Sequence, residues 1–128
     1  KLGTTLYAPF TGIIDRVAGT LTANIPAFVP INMLAAPGGS THFKIVSAGA
    51  EVDFENETFV MDAQATAVLP WDSAATAVIT LITTVTANST HPLFLALGIE
   101  FYQEVNGQMY PLKNGAFNPL SLVKVSGL

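Results

Sequence analysis

Asn106-Gly107 separates two apolar-rich runs, Leu93–Val105 and Gln108–Leu112. That dipeptide favours the tight turn in which both central residues take φ > 0, so it predicts a β-hairpin. Short alternating runs fill the rest of the chain, and turn residues recur every 8–12 residues or so, as in sandwiches and barrels. Ile13–Val17 is one such run, closed by the Ala18-Gly19 turn. Leu21, Ala23 and Ile25 then alternate with Thr22 and Asn24. Pro26 and Pro30 bracket an extended segment, and Pro37-Gly38-Gly39-Ser40 reads as a loop. In Thr41–Ala48, Phe43 and Ile45 face one way and Lys44 the other. Ala50–Phe54 and Thr58–Asp62 form a hairpin around Glu55-Asn56-Glu57. Ala77–Thr86 is rich in Val, Ile and Thr, Lys113-Asn114-Gly115 is a turn, and Leu120–Val125 is a last strand. Gly98 inside the long run predicts a bulge or a bend. No run keeps helical spacing beyond two turns. The expected fold is all-β: one antiparallel β-sandwich domain over residues 1–128, with a partly closed barrel as the alternative.

Charge is what this chain lacks. Half of its residues are hydrophobic and 11% are charged, against about 25% in an ordinary soluble domain. The surface is therefore covered by a partner or solvated by hydroxyls and amides, and 14 Thr supply hydroxyls. Only Lys1, Arg16, Lys44, Lys113 and Lys124 are basic, and the net charge is −4. That set builds no phosphate-binding patch, which excludes nucleic acid and disfavours anionic membrane surfaces. The apolar stretches Ala77–Val85 and Leu93–Phe101 are too short for a helix to span a bilayer. Cys is absent, so disulfides, thiolate catalysis and Cys-based zinc sites are out. The first residue is Lys, which suggests a processed product or an excised piece.

Several segments carry a resemblance. Asn88-Ser89-Thr90-His91-Pro92-Leu93-Phe94-Leu95, Glu100-Phe101-Tyr102-Gln103-Glu104-Val105-Asn106-Gly107 and Tyr110-Pro111-Leu112-Lys113-Asn114-Gly115-Ala116 are the most specific. Ala50-Glu51-Val52-Asp53-Phe54 and Lys1-Leu2-Gly3-Thr4-Thr5-Leu6 add to them. Together they resemble an uncharacterised family of hypothetical bacterial proteins. The resemblance implies that this chain is the C-terminal portion of longer proteins, and it brings no activity or catalytic motif. The strand order is loosely similar to immunoglobulin-like and fibronectin type III-like sandwiches, an analogy of fold that assigns no function.

No constellation of catalytic, cofactor or metal residues emerges. His42 and His91 have no partner at ligand spacing, and each reads as a surface or packing residue. A Ser-His-Asp triad is defined by geometry, and no Gly-x-Ser-x-Gly elbow supports one. Five of the nine acids lie between Glu51 and Asp62. Glu51, Asp53 and Glu55 share a strand face by period two. They read as a solvated outer row, with Val52 and Phe54 on the buried side. The sharper reading is a Ca²⁺ site at Asp53, Glu55 and Asp62. Pro37-Gly38-Gly39-Ser40 lacks the Lys and the helix of a phosphate loop. Trp71 either plugs the end of the core or stacks on a sugar. Tyr102 and Tyr110 read as cross-strand packing beside the hairpin. Asn56-Glu57-Thr58 and Asn88-Ser89-Thr90 match the glycosylation pattern.

The expected core is Leu21, Ile25, Phe43, Ile45, Val52, Phe54, Ile79, Leu81, Leu95, Leu97, Ile99, Leu120 and Leu122. The expected function is non-enzymatic. The chain is read as an assembly subunit of an extracellular filament or coat, located outside the cell or on its surface. Its partners would be copies of itself, joined through strand edges left bare of Lys. Residues 1–7 either pair within their own sheet or complete a neighbour's. The alternative is a glycan- or protein-binding sandwich.

Overall fold

A computed structural model describes Leu6, residues 8–112 and residues 120–127. Two long strands organise it: β3 is His42–Asp53 and β7 is Leu93–Val105. They pair antiparallel from His42↔Tyr102 to Glu51↔Leu93. Their inward columns are Phe43, Ile45, Ser47, Gly49 and Glu51 on one strand and Leu93, Leu95, Leu97, Ile99 and Phe101 on the other. All are buried, as alternation along a strand requires. β4 (Thr58–Ala65) pairs with the free side of β3. Along the other side of β7 run β8 (Gln108–Pro111) and β9 (Ser121–Ser126), while short β5 (Leu69–Pro70) continues the β3 edge. These six strands form one sheet.

The second sheet is β1 (Thr11–Asp15), β2 (Thr20–Ile25) and β6 (Ile79–Thr84), in that order. Leu21, Ala23, Ile25, Ile79, Leu81 and Thr83 point from it into the core. The protein is thus an all-β sandwich of antiparallel sheets, one of them curled into a half-barrel, with 56% strand and 4% helix. The only helix among the described residues is a single turn, α1 (Pro30–Met33), entered through Pro30. There the ring's fixed φ favours the first helical position.

The Asn106-Gly107 turn takes φ of 51° and 80°, the left-handed pair that its hairpin needs. β7 spans the whole run Leu93–Val105. Thr41–Ala48 and Ala50–Phe54, by contrast, belong to one strand. Gly49 does not break it, since a Cβ there would strike the Thr83 side chain packed across from β6. Gly98 marks no bulge. It stays in register opposite Val46, and its missing side chain makes room for Leu120, whose Cδ2 would lie 2.7 Å from a Cβ. The irregularity of this sheet lies in β9, where the partner of Leu95 is Lys124 and that of Ala96 is Leu122. The Lys113-Asn114-Gly115 turn lies outside the described residues, as do residues 1–5 and 7 of the N-terminal segment. Leu6 is buried and bridges to Leu34 in its own domain.

Unbroken alternation through β3 overturns part of the expected core. Because Phe43 and Ile45 face inward, Glu51 faces inward too and Val52 turns outward. Phe54 is 67% exposed, and Leu120, just before β9, and Leu122 on it are 51% and 60% exposed. One phase error reverses a whole face. Leu97→Ala, which empties a fully buried site, should cost about 2–5 kcal/mol in urea denaturation. Leu122→Ala should cost under about 1 kcal/mol. Equal costs would contradict the observed facing of β7 and β9.

Candidate functional site

Polar side chains gather at one end of the sandwich, where β3 turns into β4 and β6 runs on toward β7. Glu51 lies there with 7% of its surface exposed. Its Oε1 accepts from the Thr86 backbone N–H at 3.0 Å and its Oε2 from the Ser89 hydroxyl at 2.8 Å. One strand away, Asp62 Oδ2 accepts from the Thr84 backbone N–H at 2.8 Å. Thr84 and Thr86 are two apart, so both N–H groups point to the same side of their strand, away from β2. Two carboxylates from the large sheet therefore occupy the edge that β6 offers as the last strand of the small one. Burial pushes Glu51 toward protonation, but the bonds from Thr86 and Ser89 outweigh it and hold the carboxyl below its ordinary range.

Arg16 closes the same end. Its guanidinium donates to the carbonyls of Ser89 (2.9 Å), His91 (2.6 Å), Ser126 (2.9 Å) and Gly127 (3.2 Å) and to the Ser126 hydroxyl (3.0 Å). That fork ties the end of β9 to the loop before β7. His91 Nε2 lies 3.6 Å from Asp53 Oδ2. Asn56 donates to Asp53 from its side chain and backbone, which holds that carboxyl low as well. Glu51, Asp53, Thr58, Val60 and His91 border a shallow cavity of about 220 Å³.

Ser89, His91 and Asp53 do come together, but not as a relay. The buried Ser89 hydroxyl donates to Glu51 and accepts from the His91 backbone N–H, while the imidazole faces Asp53. A working triad needs the base on the nucleophile's hydroxyl. The solvated row Glu51, Asp53 and Glu55 is corrected: Glu51 belongs to the interior and Glu55 to the exposed turn. Among the described residues no three His, Asp or Glu side chains converge as metal ligands, so Asp53, Glu55 and Asp62 stay apart. Trp71 packs against the core, and its Nε1 donates to the Leu34 carbonyl at 3.3 Å. That is the plug arrangement. Of the two glycosylation patterns, Asn56 is exposed in the turn and Ser89 is buried.

Sequence reading missed Glu51, Arg16 and Ser89 as a network. Uninterrupted period two from Phe43 would have found Glu51. Nothing local marks Arg16, whose acceptors lie 73 to 111 residues away.

The second candidate is a surface. β4 is the terminal strand of its sheet and nearly every residue in it is exposed, with Phe59 at 68% and Met61 at 60%. The Thr66 N–H donates to the Ile45 carbonyl, and the Val52 N–H to the Pro92 carbonyl. Odd-numbered β3 residues therefore bond toward β4 and even-numbered ones toward β7. In the register Thr58↔Asp53 to Ala65↔Val46, the even residues of β4 bond to β3. The N–H and C=O groups of Phe59, Met61, Ala63 and Ala65 then point away from the sheet. No other strand among the described residues pairs with this edge. It carries no Lys, no Pro and no bulge, and its one charge, Asp62, is held by Thr84.

Beside this edge the outer face of the sheet is apolar. Phe59, Met61, Ala63 and Ala65 lie level with Val52, Ala50, Ala48 and Val46, and these with Phe94, Ala96 and Gly98. Phe54 stacks edge-on against Phe94, with ring centroids 6.4 Å apart. Polar groups take over at the far end, where Lys44 pairs with Glu100 at 3.4 Å and the Tyr102 hydroxyl donates to Glu100 at 2.9 Å. Three strands spaced about 4.8 Å, apolar over some seven residues at about 3.3 Å each, span roughly 330 Å².

Comparison with family models, with curated proteins and with solved structures finds no match.

Glu51→Leu strands the Thr86 N–H and the Ser89 O–H, a loss of roughly 1–3 kcal/mol at pH 7. The folded Glu51 pKa is depressed, so its contribution is present above the unfolded value and lost as pH falls through the folded one. Urea denaturation from pH 7 to pH 3 should show the gap between wild type and Glu51→Leu narrowing below the ordinary carboxylate range. A gap that holds constant or widens would contradict the capping role.

Proposed function

We propose that this protein is a non-enzymatic assembly module whose β4 edge joins copies of the chain into a continuous sheet. The observation that carries the reading is the ladder at Phe59, Met61, Ala63 and Ala65, which no strand among the described residues pairs, set beside an apolar face. Monomeric proteins usually blunt such an edge with Lys, Pro or a bulge. A place in an extracellular or cell-surface filament or coat is part of this proposal, motivated by the low charge and the Thr-rich composition. The same edge favours a second reading, a protein-binding module that takes an extended segment of another chain by strand addition.

Concentration-dependent light scattering tests the first reading. Ala63→Pro removes an N–H that the protein's own sheet does not use, and an edge strand tolerates Pro there. We expect self-association at least tenfold weaker, with the far-UV spectrum of the wild type retained. Phe59→Lys should act in the same direction. Wild-type protein that stays monomeric at high concentration would move the assignment to the second reading. Association untouched by both substitutions would remove β4 from the account.

A further inference from the structure

We propose that β4 pairs with β4 of a second copy in one antiparallel register, centred on Met61 facing Met61. This deepens the reading of β4 as the assembly edge and rests on it. A closed pair of identical chains has a twofold axis, so if residue i faces residue j, then j faces i. Hydrogen bonding adds a parity rule. The outward groups belong to Phe59, Met61, Ala63 and Ala65, and they must meet one another for the ladder to form.

Few registers satisfy that rule within Thr58–Ala65. Centring on Asp62 sets two carboxylates directly opposite each other on the inner face, with Cβ atoms about 5 Å apart, where like charges repel. Centring on Val60 confines pairing to Thr58–Asp62 and wastes the outward groups of Ala63 and Ala65. An Ala63 centre confines it to Met61–Ala65 and leaves Phe59 outside. Centring on Met61 pairs Thr58 through Gln64. It sets Asp62 opposite Val60 rather than opposite a like charge, and lays the Phe59 ring over Ala63 of the other chain. Two flexible thioethers meet at the axis, where Met adapts to what it packs against. The carboxylate of Asp62 is already held by Thr84, so the small sheet keeps its cap. The apolar outer faces of both copies become continuous across the junction.

The chain has no Cys, so single-Cys variants report the register without background. In a hydrogen-bonded antiparallel pair, facing Cα atoms are about 5.5 Å apart, inside the roughly 4.4–6.8 Å that a disulfide accepts. With Met61 at the axis, two copies of residue 63 are displaced by about 14 Å along the strand, beyond that reach. The experiment is mild oxidation of Met61→Cys, Val60→Cys and Ala63→Cys at a concentration where light scattering shows association. Exposed Val78→Cys serves as the reference, and circular dichroism checks each fold. Covalent dimer should form at least tenfold faster with Met61→Cys than with any other variant. Fastest crosslinking at residue 60 or 63, or between Met61→Cys and Ala63→Cys when the two are mixed, would overturn the register and leave β4 as the assembly edge. If the protein associates while no β4 variant outruns Val78→Cys, or if it never associates, both the register and the underlying reading fall.

Discussion

Two carboxylates closing an open strand edge are the interaction on which the shape of this protein depends. The small sheet ends at β6, whose outer N–H groups pair with no strand among the described residues. From the large sheet, Asp62 reaches the last of them, Thr84, at 2.8 Å, and Glu51 reaches Thr86, two residues past the strand, at 3.0 Å. Charged acceptors make the stronger kind of hydrogen bond, and here they substitute for a ladder. The arrangement requires Glu51 to face inward, so it fixes the phase of β3. The phase of β3 then fixes every outward residue beside it, from Lys44 to Val52. On the other side, Arg16 binds the end of β9 to the loop before β7 through five acceptors. Lys124 reaches the Gly12 carbonyl at 3.3 Å, linking β9 to β1. A chain with few charges has placed several of them along the seams between its sheets.

Capping at β6 leaves the β4 edge exposed. The run Ala77–Thr86 is uncharged and rich in Val, Ile and Thr, as a bare edge would be. Its N–H groups at Thr84 and Thr86 are instead taken by acids from 22 and 35 residues away. Among the described residues β4 is a terminal strand without such partners, where alternation sends the even-numbered backbone groups to β3 and the odd-numbered ones outward. Asp62 has a double consequence. It holds β6 with its side chain, and it removes the symmetric register that would place it opposite itself. The same residue thus connects the closure of the sandwich to the geometry proposed for its assembly.

Local chemistry was readable where it acts locally. Asn106-Gly107 specified its turn because few dipeptides accept two positive φ values, and the span of β7 followed from a long apolar run interrupted only by Gly98. Leu21, Ala23 and Ile25 face inward as their alternation with polar neighbours implied. Reading failed where a distant contact decides. Gly49 looked like a break until Thr83 of β6 is seen packed over it, and dividing β3 there set Val52 and Phe54 in the wrong phase. Leu120 and Leu122 are as apolar as any core residue. They are exposed because Val123, not they, packs against the interior. Composition alone does not choose a strand face. The polar end was hidden for the same reason: Arg16, Glu51 and Ser89 are far apart in the chain and share no spacing signal.

Amide hydrogen exchange, resolved by residue and followed from dilute to concentrated protein, tests most directly that β6 is capped while β4 is open. In dilute solution the Thr84 and Thr86 amides should be protected, and those of Phe59, Met61 and Ala63 should exchange freely. With rising concentration the β4 amides should become protected together, while Thr84 and Thr86 keep the protection they already had. Protection of Phe59, Met61 and Ala63 in the dilute monomer, or free exchange at Thr84 and Thr86, would contradict the account.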